Sequence, residues 1–490
     1  MDTSPHLSTR PQAAYSRSGQ TRPQAAYSRS GQTEPTAYSR SGRTQIFEAS
    51  TLYGLATLNA AISAGLFDAD SNGRRILVTS NNAATPEAVA ELTESPSFAR
   101  LAEPFTEVVS YNAAIEPLHP SAWTPTEAEM PLWERYFRGL WALGDEPVQL
   151  VVESIQVSPA QALCWCFPQA SIDVYADGLM SYGPTRNKIL SEIGSRIERL
   201  LHLDLVPGLT PLLLDEFPIR REVIDTAAFT AVLAELSAGA PLPATTEPYA
   251  LLLGQYLTPL GLISATEEER LHTEMLESAV AKGFSSIVFK PHPTAPAELA
   301  GPMLARAAEL GVTVEVFTEP VLAEIVYRRS PVELVVGCFS TALVTASSFF
   351  DLPALRVGTA ALLQRLKPYQ NSNRIPLVII DSLLPTATEP PRLDLGQLTG
   401  LVDAVGFVMQ PEVLSHRRAA VVDWLERHGA AEARFFPAVR LGELDLPGGR
   451  KTLKTRAAPT LRRAARRAYA LERRLEARFM GPIRGVPGGG

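Results

Sequence analysis

The amino-acid sequence predicts an α/β protein: two doubly wound α/β domains in series, preceded by a repeat-containing leader and followed by a basic tail. Three observations lead there. Short apolar runs alternate with helical patterns from Thr44 onward, and the alternation restarts at Tyr249 after a break. That break, "SAGAPLPATTEP" (Ser237–Pro248), replaces periodic pattern with small residues and prolines. At 490 residues the chain is also too long for one ordinary domain. The expected divisions are a disordered leader at 1–43, an N-terminal domain at 44–240, a C-terminal domain at 241–440 and a helical tail at 441–490.

The leader holds "TRPQAAYSRSGQ" twice, at Thr9–Gln20 and Thr21–Gln32, then a variant at Thr33–Arg43. Units so poor in aliphatic side chains cannot build a core or stack as a solenoid, so disorder is expected. "TQIFEAS" (Thr44–Ser50) reads as the first strand, and "TLYGLATLNAAISAG" as a helix closed by Gly65. "RRILVTS" (Arg74–Ser80), "FTEVVSY" (Phe105–Tyr111), "VQLVVES" (Val148–Ser154) and "SIDVYADG" follow as strands, with "EAEMPLWERYFRGLWAL" as a helix among them. Strand and helix in alternation imply a parallel sheet covered on both faces. Beyond the break, "YALLLGQ", "SSIVFKPHP", "VTVEVF", "VELVVGCFS", "LPALRVG" and "IPLVIID" read as strands, and "EEERLHTEMLESAVAKG", "GPMLARAAELG" and "TALVTASSFF" as helices.

Composition narrows the class. An apolar fraction of 46% with 20% charged residues is that of a globular chain with large cores. No apolar run reaches the length of a membrane span, and the N-terminus lacks a signal-like apolar core, which predicts a cytoplasmic protein. Cys164, Cys166 and Cys338 lack a zinc spacing and are expected as buried free thiols. Neither a metal site nor a cofactor is expected. The net charge of −7 is unevenly spread: Arg450–Gly490 carries twelve Lys or Arg against Glu472 and Glu476, a net +10, leaving −17 on the first 449 residues.

In a doubly wound sheet, ligands bind beyond the carboxyl ends of the strands. Three such ends carry polar groups foreign to a core: Asp177 in "YADG", Lys290 and His292 in "KPHP", and Ser340 and Thr341 in "GCFSTALVTASS". Hydroxyls and free N–H groups at a helix N-terminus can seat a phosphate, with His292 and Lys290 adding donors and charge. Asp177 from the other domain could then face the group carried by that phosphate, as a general base for an acceptor hydroxyl. Taken singly, each residue has a plainer role. Ser340 and Thr341 suit an N-cap, Asp177 a turn before Gly178, and a lone loop histidine is usually solvated.

The ordered set "D-G", "K-P-H-P", "S-T" resembles the bacterial sialyltransferases, in particular the polysialyltransferase-like glycosyltransferases. The resemblance spans roughly Thr44 to Asp381 and takes in "HLDLVPGLTPLL" (His202–Leu213). It implies a GT-B fold, two doubly wound, Rossmann-like domains facing a cleft. It also implies an inverting transfer of sialic acid, or a related acidic sugar, from a CMP-activated donor to a glycan or glycolipid hydroxyl, without a metal. Asp177 would be the base, His292 would contact the departing CMP phosphate as acid or electrostatic stabiliser, and Ser340 and Thr341 would hydrogen-bond that phosphate beside Lys290. Gly254, Gln255 and Glu324 are candidates for the nucleoside, with a solvated helix position as the plainer reading of Glu324. One departure stands out: the family's acidic pair before glycine is here Ala176-Asp177, so the first acid is missing.

Two other functions fit the same pattern. A CDP-glycerol-type phosphotransferase of wall polymer synthesis would also pair two such domains with HP and Ser/Thr motifs, and a non-catalytic nucleotide or sugar binder would explain Ala176. The tail "PTLRRAARRAYALERRLEARF" places arginines on much of a helix and Leu461, Ala465, Ala468, Leu471, Leu475 and Phe479 on another face. That pattern suits an anionic membrane surface, or equally the protein's own acidic body. Nucleic-acid binding is not expected, because aromatic interleaving is absent. Acceptor loops are expected around Asn81–Ala84 and Tyr111–Trp123, with no readable code in either.

Overall fold

Two parallel sheets organise the chain. The first joins β1 (Arg43–Ala49), β2 (Ser71–Thr79), β3 (Glu107–Ser110), β4 (Val148–Val152), β5 (Ser171–Ala176), β6 (Ile197–Leu203) and β7 (Arg220–Ile224). Their order is β3-β2-β1-β4-β5-β6-β7. The second joins β8 (Tyr249–Leu253), β9 (Ser286–Lys290), β10 (Thr313–Val316), β11 (Val332–Gly337) and β12 (Ala354–Arg356), in the order β10-β9-β8-β11-β12. The structure, a computed structural model, describes residues 43–67, 71–83, 85–292 and 295–450. The leader repeats, the basic tail from residue 451 and Pro293 lie outside them.

Every strand pairs in parallel. The central strands are therefore covered on both faces and are buried at every position: β8 (YALLL) reads as an unbroken apolar run, and β4 (VQLVV) is interrupted only by the buried Gln149. In each sheet the chain runs outward from the first strand, then returns to its other side, so the order reverses between β1 and β4 and between β8 and β11. These switch points open crevices beyond the strand ends. With both sets of carboxyl ends turned to one cleft, the architecture is GT-B.

The helices follow local chemistry. Leu52–Ser63 begins at Thr51, whose side chain accepts from the Gly54 N–H, and Gly65 follows its end at φ 75°. Ala265–Ala281 opens on a capping box of Ser264 and Glu267. Thr341–Phe350 is capped by Ser340, whose Oγ accepts from the Ala342 N–H. Among the described residues no helix is long and apolar enough to cross a membrane.

The segment "IPLVIID", read as a closing strand, is instead part of the helix Arg374–Leu383. Arg374 through Ser382 are all buried, so no polar face reveals a helical period, and a short β-branched run imitates a strand. Asp381, fully buried on this helix, pairs with Arg434 at 2.6 Å and Arg356 at 3.1 Å and accepts from Thr359 Oγ1 at 2.6 Å. Conversely β6 and β7 are strands that no apolar run marks in the sequence. Their sequences, IERLLHL and RREVI, interleave charge: the buried Arg199 of β6 is neutralised by Asp173 of β5 at 2.6 Å and Glu222 of β7 at 2.9 Å. Cys164, Cys166 and Cys338 are buried free thiols, as expected.

Candidate active site

The crevice between the sheets has a volume of about 520 Å³, within the range of ligand sites. Its walls come from strand ends. From the first sheet, Glu153 follows β4 and Asp177 follows β5; from the second, Gly254 and Gln255 follow β8, His292 follows β9, and Ser340 and Thr341 follow β11. Two larger cavities lie elsewhere, one mainly apolar, of about 850 Å³ near Leu205 and Leu355, and one of about 980 Å³ near Lys188 and Arg440. Neither gathers strand-end polar groups from both sheets.

The floor is tied across the domains. The Leu179 N–H, two residues beyond Asp177, donates to Thr341 Oγ1 at 3.3 Å. A Cβ on Gly178 would sit 3.3 Å from the same oxygen, so glycine lets the Asp177 loop rest on the helix N-terminus. Gln255 spans the switch point of the second sheet, its Oε1 accepting from the Phe339 N–H at 2.8 Å. The Gly254 N–H donates to the Lys290 carbonyl at 2.9 Å, and a Cβ there would meet Phe289 at 2.9 Å. Ser340 serves as the N-cap, and its hydroxyl proton is left to donate into the cleft at the positive end of a ten-residue helix.

Burial sets the charges. Asp177 is raised above the usual carboxylate range by desolvation. Glu153 is pushed up to about 7, by desolvation first and then by the charge of Asp177, against hydrogen bonds from Ser50 and Tyr175. Desolvation holds the His292 imidazole below its ordinary range, with the charge of Glu268 opposing, so it is mostly neutral at pH 7.

Asp177, Gly254, Gln255, His292, Ser340 and Thr341 are thus brought together, while Lys290 and Glu324 stand outside the cleft lining. The Lys290 ammonium donates to the Glu319 carbonyl at 2.8 Å and lies 5.1 Å from the centre of the Phe317 ring, and desolvation lowers it to about 8. It ties the end of β9 to the segment that follows β10. Glu324 is 2% exposed, not a solvated helix position, and accepts from Thr345 Oγ1 at 2.7 Å. Burial raises its carboxyl. Glu153, unlike these two, escaped the sequence reading because "VQLVVES" passes as the tail of a strand; a carboxylate one residue past a buried strand was the available signal. Among the described residues, no group of three or more His, Cys, Asp or Glu side chains is placed to hold a metal ion.

Comparison with known proteins adds a family. The family model described as alpha-2,8-polysialyltransferase (POLYST) matches residues 45–359. No curated protein matches the chain. Among solved structures, the GT-B domain of a sialyltransferase from Photobacterium damselae is 10% identical with a TM-score of 0.35, covering 69% of this chain and 96% of that one. Acinetobacter baumannii MurG is 11% identical with a TM-score of 0.36, covering 77% and 94%. A glycosyltransferase from Rickettsia africae is 8% identical with a TM-score of 0.35, covering 80% and 98%.

Proposed function

Because the chain belongs to the alpha-2,8-polysialyltransferase family, and is therefore a glycosyltransferase acting in sialyl transfer, we propose that it moves sialic acid from a CMP-activated donor to a glycan hydroxyl with inversion. The convergence of Asp177, His292, Ser340 and Thr341 on one cleft from three strand ends carries this reading. The donor phosphate rests at the start of the helix Thr341–Phe350, taking hydrogen bonds from Ser340, Thr341 and His292. Gly254 and Gln255 line the approach to the nucleoside. Lys290 and Glu324 act from behind the wall, through charge rather than contact.

Across the cleft, Asp177 takes the proton of the acceptor hydroxyl as that oxygen attacks the anomeric carbon. The bond from that carbon to the phosphate oxygen breaks, its electron pair staying on CMP. A tertiary carbon bearing a carboxylate ionises readily, so a base and a stabilised phosphate suffice, and no metal is assigned. The family's name favours an oligosialyl acceptor extended through an α-2,8 bond, in a glycan or glycolipid. An anionic membrane surface for the tail from residue 451, and with it a place at the inner face of the membrane, is part of the same proposal.

Thermal stability against a nucleotide panel tests the donor, since a ligand bound only by the native state raises the melting temperature. CMP and CDP should stabilise the protein; stabilisation by UDP or GDP instead would sink the CMP assignment. A product containing phosphorus would favour the CDP-glycerol-type reaction.

A further inference from the structure

We propose that Glu153 is the second carboxylate of the general base, holding with Asp177 the proton taken from the acceptor hydroxyl. This inference rests on the proposed sialyl transfer. In space Glu153 stands one strand away from Asp177, at the end of β4 beside β5.

The register places it there. β4 pairs with β5 so that Val152 faces Val174, which sets Glu153 level with Tyr175 and two residues back from Asp177. Both carboxylates line the cleft, and their charges interact. The surroundings of Glu153 suit either protonation state. Ser50 Oγ donates to Oε1. Tyr175 lies with its hydroxyl 3.2 Å from Oε2 and 2.9 Å from the Glu48 carbonyl. The tyrosine has one proton, which either acceptor can take. An ionised Glu153 accepts it together with the Ser50 hydroxyl, and with Glu153 protonated the tyrosine proton turns to the Glu48 carbonyl, leaving the tyrosine oxygen to accept from Glu153. Gly54 clears the space: a Cβ there would stand 3.2 Å from Oε2 and 3.1 Å from the tyrosine oxygen.

The groups facing the pair favour a held proton. Glu48, at the end of β1, accepts from the Glu153 N–H at 3.4 Å and from Ser80 Oγ at 3.0 Å, and is itself raised well above the carboxylate range by burial and by the charge of Glu153. Tyr53 and Tyr175, facing from the helix Leu52–Ser63 and from β5, are raised by burial and by neighbouring carboxylates, Asp177 among them, so they stay neutral. Arg186 and His292 are the basic side chains on the cleft walls. Two carboxylates so placed lose their protons in two steps, and the second, near neutral pH, makes the pair a stronger base than a lone aspartate. In the reaction the hydroxyl proton enters the pair, the new carbon–oxygen bond forms, and CMP leaves with the electrons of the broken bond. The proton reaches solvent after release.

The experiment is a pH titration of the full chain with ¹³C-labelled side-chain carboxyls, for the wild type and Asp177→Asn, beside kcat/KM profiles with CMP-sialic acid for the wild type, Glu153→Gln and Glu153→Asp. The expected result is a Glu153 titration near 7 that falls by roughly one unit or more in Asp177→Asn. Glu153→Gln should move the acidic limb of kcat/KM to lower pH and cut the plateau about 10- to 100-fold, with Glu153→Asp restoring the limb. A Glu153 titration unmoved by Asp177→Asn, or an unmoved limb in folded Glu153→Gln, overturns the proposal. Should Glu153→Gln not fold, the ¹³C titration decides alone. A wild type that transfers no sialic acid defeats the proposed function instead, and leaves the carboxylate coupling measurable.

Discussion

Replacing His292 by alanine removes one donor from the proposed phosphate seat and leaves the sheets untouched, since the residue lies in the loop beyond β9. A hydrogen bond to a charged group contributes about 2 kcal/mol, equivalent to about a 30-fold change in affinity. At CMP one hundred times its Kd the wild type gains about 2.7 kcal/mol, and the same concentration, now about three times Kd, gives the variant about 0.8 kcal/mol. With about 400 residues unfolding together, 1 kcal/mol moves the midpoint by about 1 °C, so the CMP-induced shift should fall from about 3 °C to about 1 °C. Differential scanning fluorimetry with and without CMP reads this directly. The sign of the pH effect is also fixed. Desolvation keeps His292 neutral until the pH falls below its ordinary range, whereas a phosphate beside it favours the proton. CMP binding should therefore strengthen as pH falls through the histidine range, and His292→Ala should lose that slope. Equal shifts in variant and wild type, with equal pH slopes, would refute a phosphate contact by His292.

Substitutions at three further positions probe the frame. Thr341→Val removes the acceptor for the Leu179 N–H and should cost about 1 kcal/mol in stability and lower kcat/KM more than tenfold, measured by denaturant unfolding and initial rates. Gly254→Ala drives a Cβ to 2.9 Å from Phe289 and 3.1 Å from the Pro291 Cα, so a loss of about 1–3 kcal/mol is expected from urea midpoints. Asp381→Ala leaves Arg356 and Arg434 facing a buried void, and should destabilise by about 3–5 kcal/mol, while Asp381→Asn should cost less.

Much of the site was legible because parallel sheets concentrate chemistry at strand ends. Asp177, His292, Ser340 and Thr341 are polar residues directly after runs that are otherwise buried, and chain order alone puts them on one edge. Lys290 ends such a run in sequence, yet its ammonium turns to Glu319 and Phe317, and Glu324, on the helix Ala323–Arg329, turns its carboxyl to Thr345. Side-chain direction is a packing property that spacing does not encode. β6 and β7 escaped because Arg199 breaks the apolar run, and its neutralising partners, Asp173 and Glu222, lie 26 and 23 residues away. The helix Arg374–Leu383 escaped because burial on all sides erases the period that distinguishes helix from strand.

Incubation of the full chain with CMP-sialic acid and an oligosialyl primer, followed by proton NMR, tests the central claim most directly. The expected result is loss of the β-linked donor with matching growth of α-linked product and free CMP, reduced at least about 100-fold in Asp177→Asn. Donor left intact by a folded protein that still binds CMP, or product formed equally well by Asp177→Asn, would contradict it.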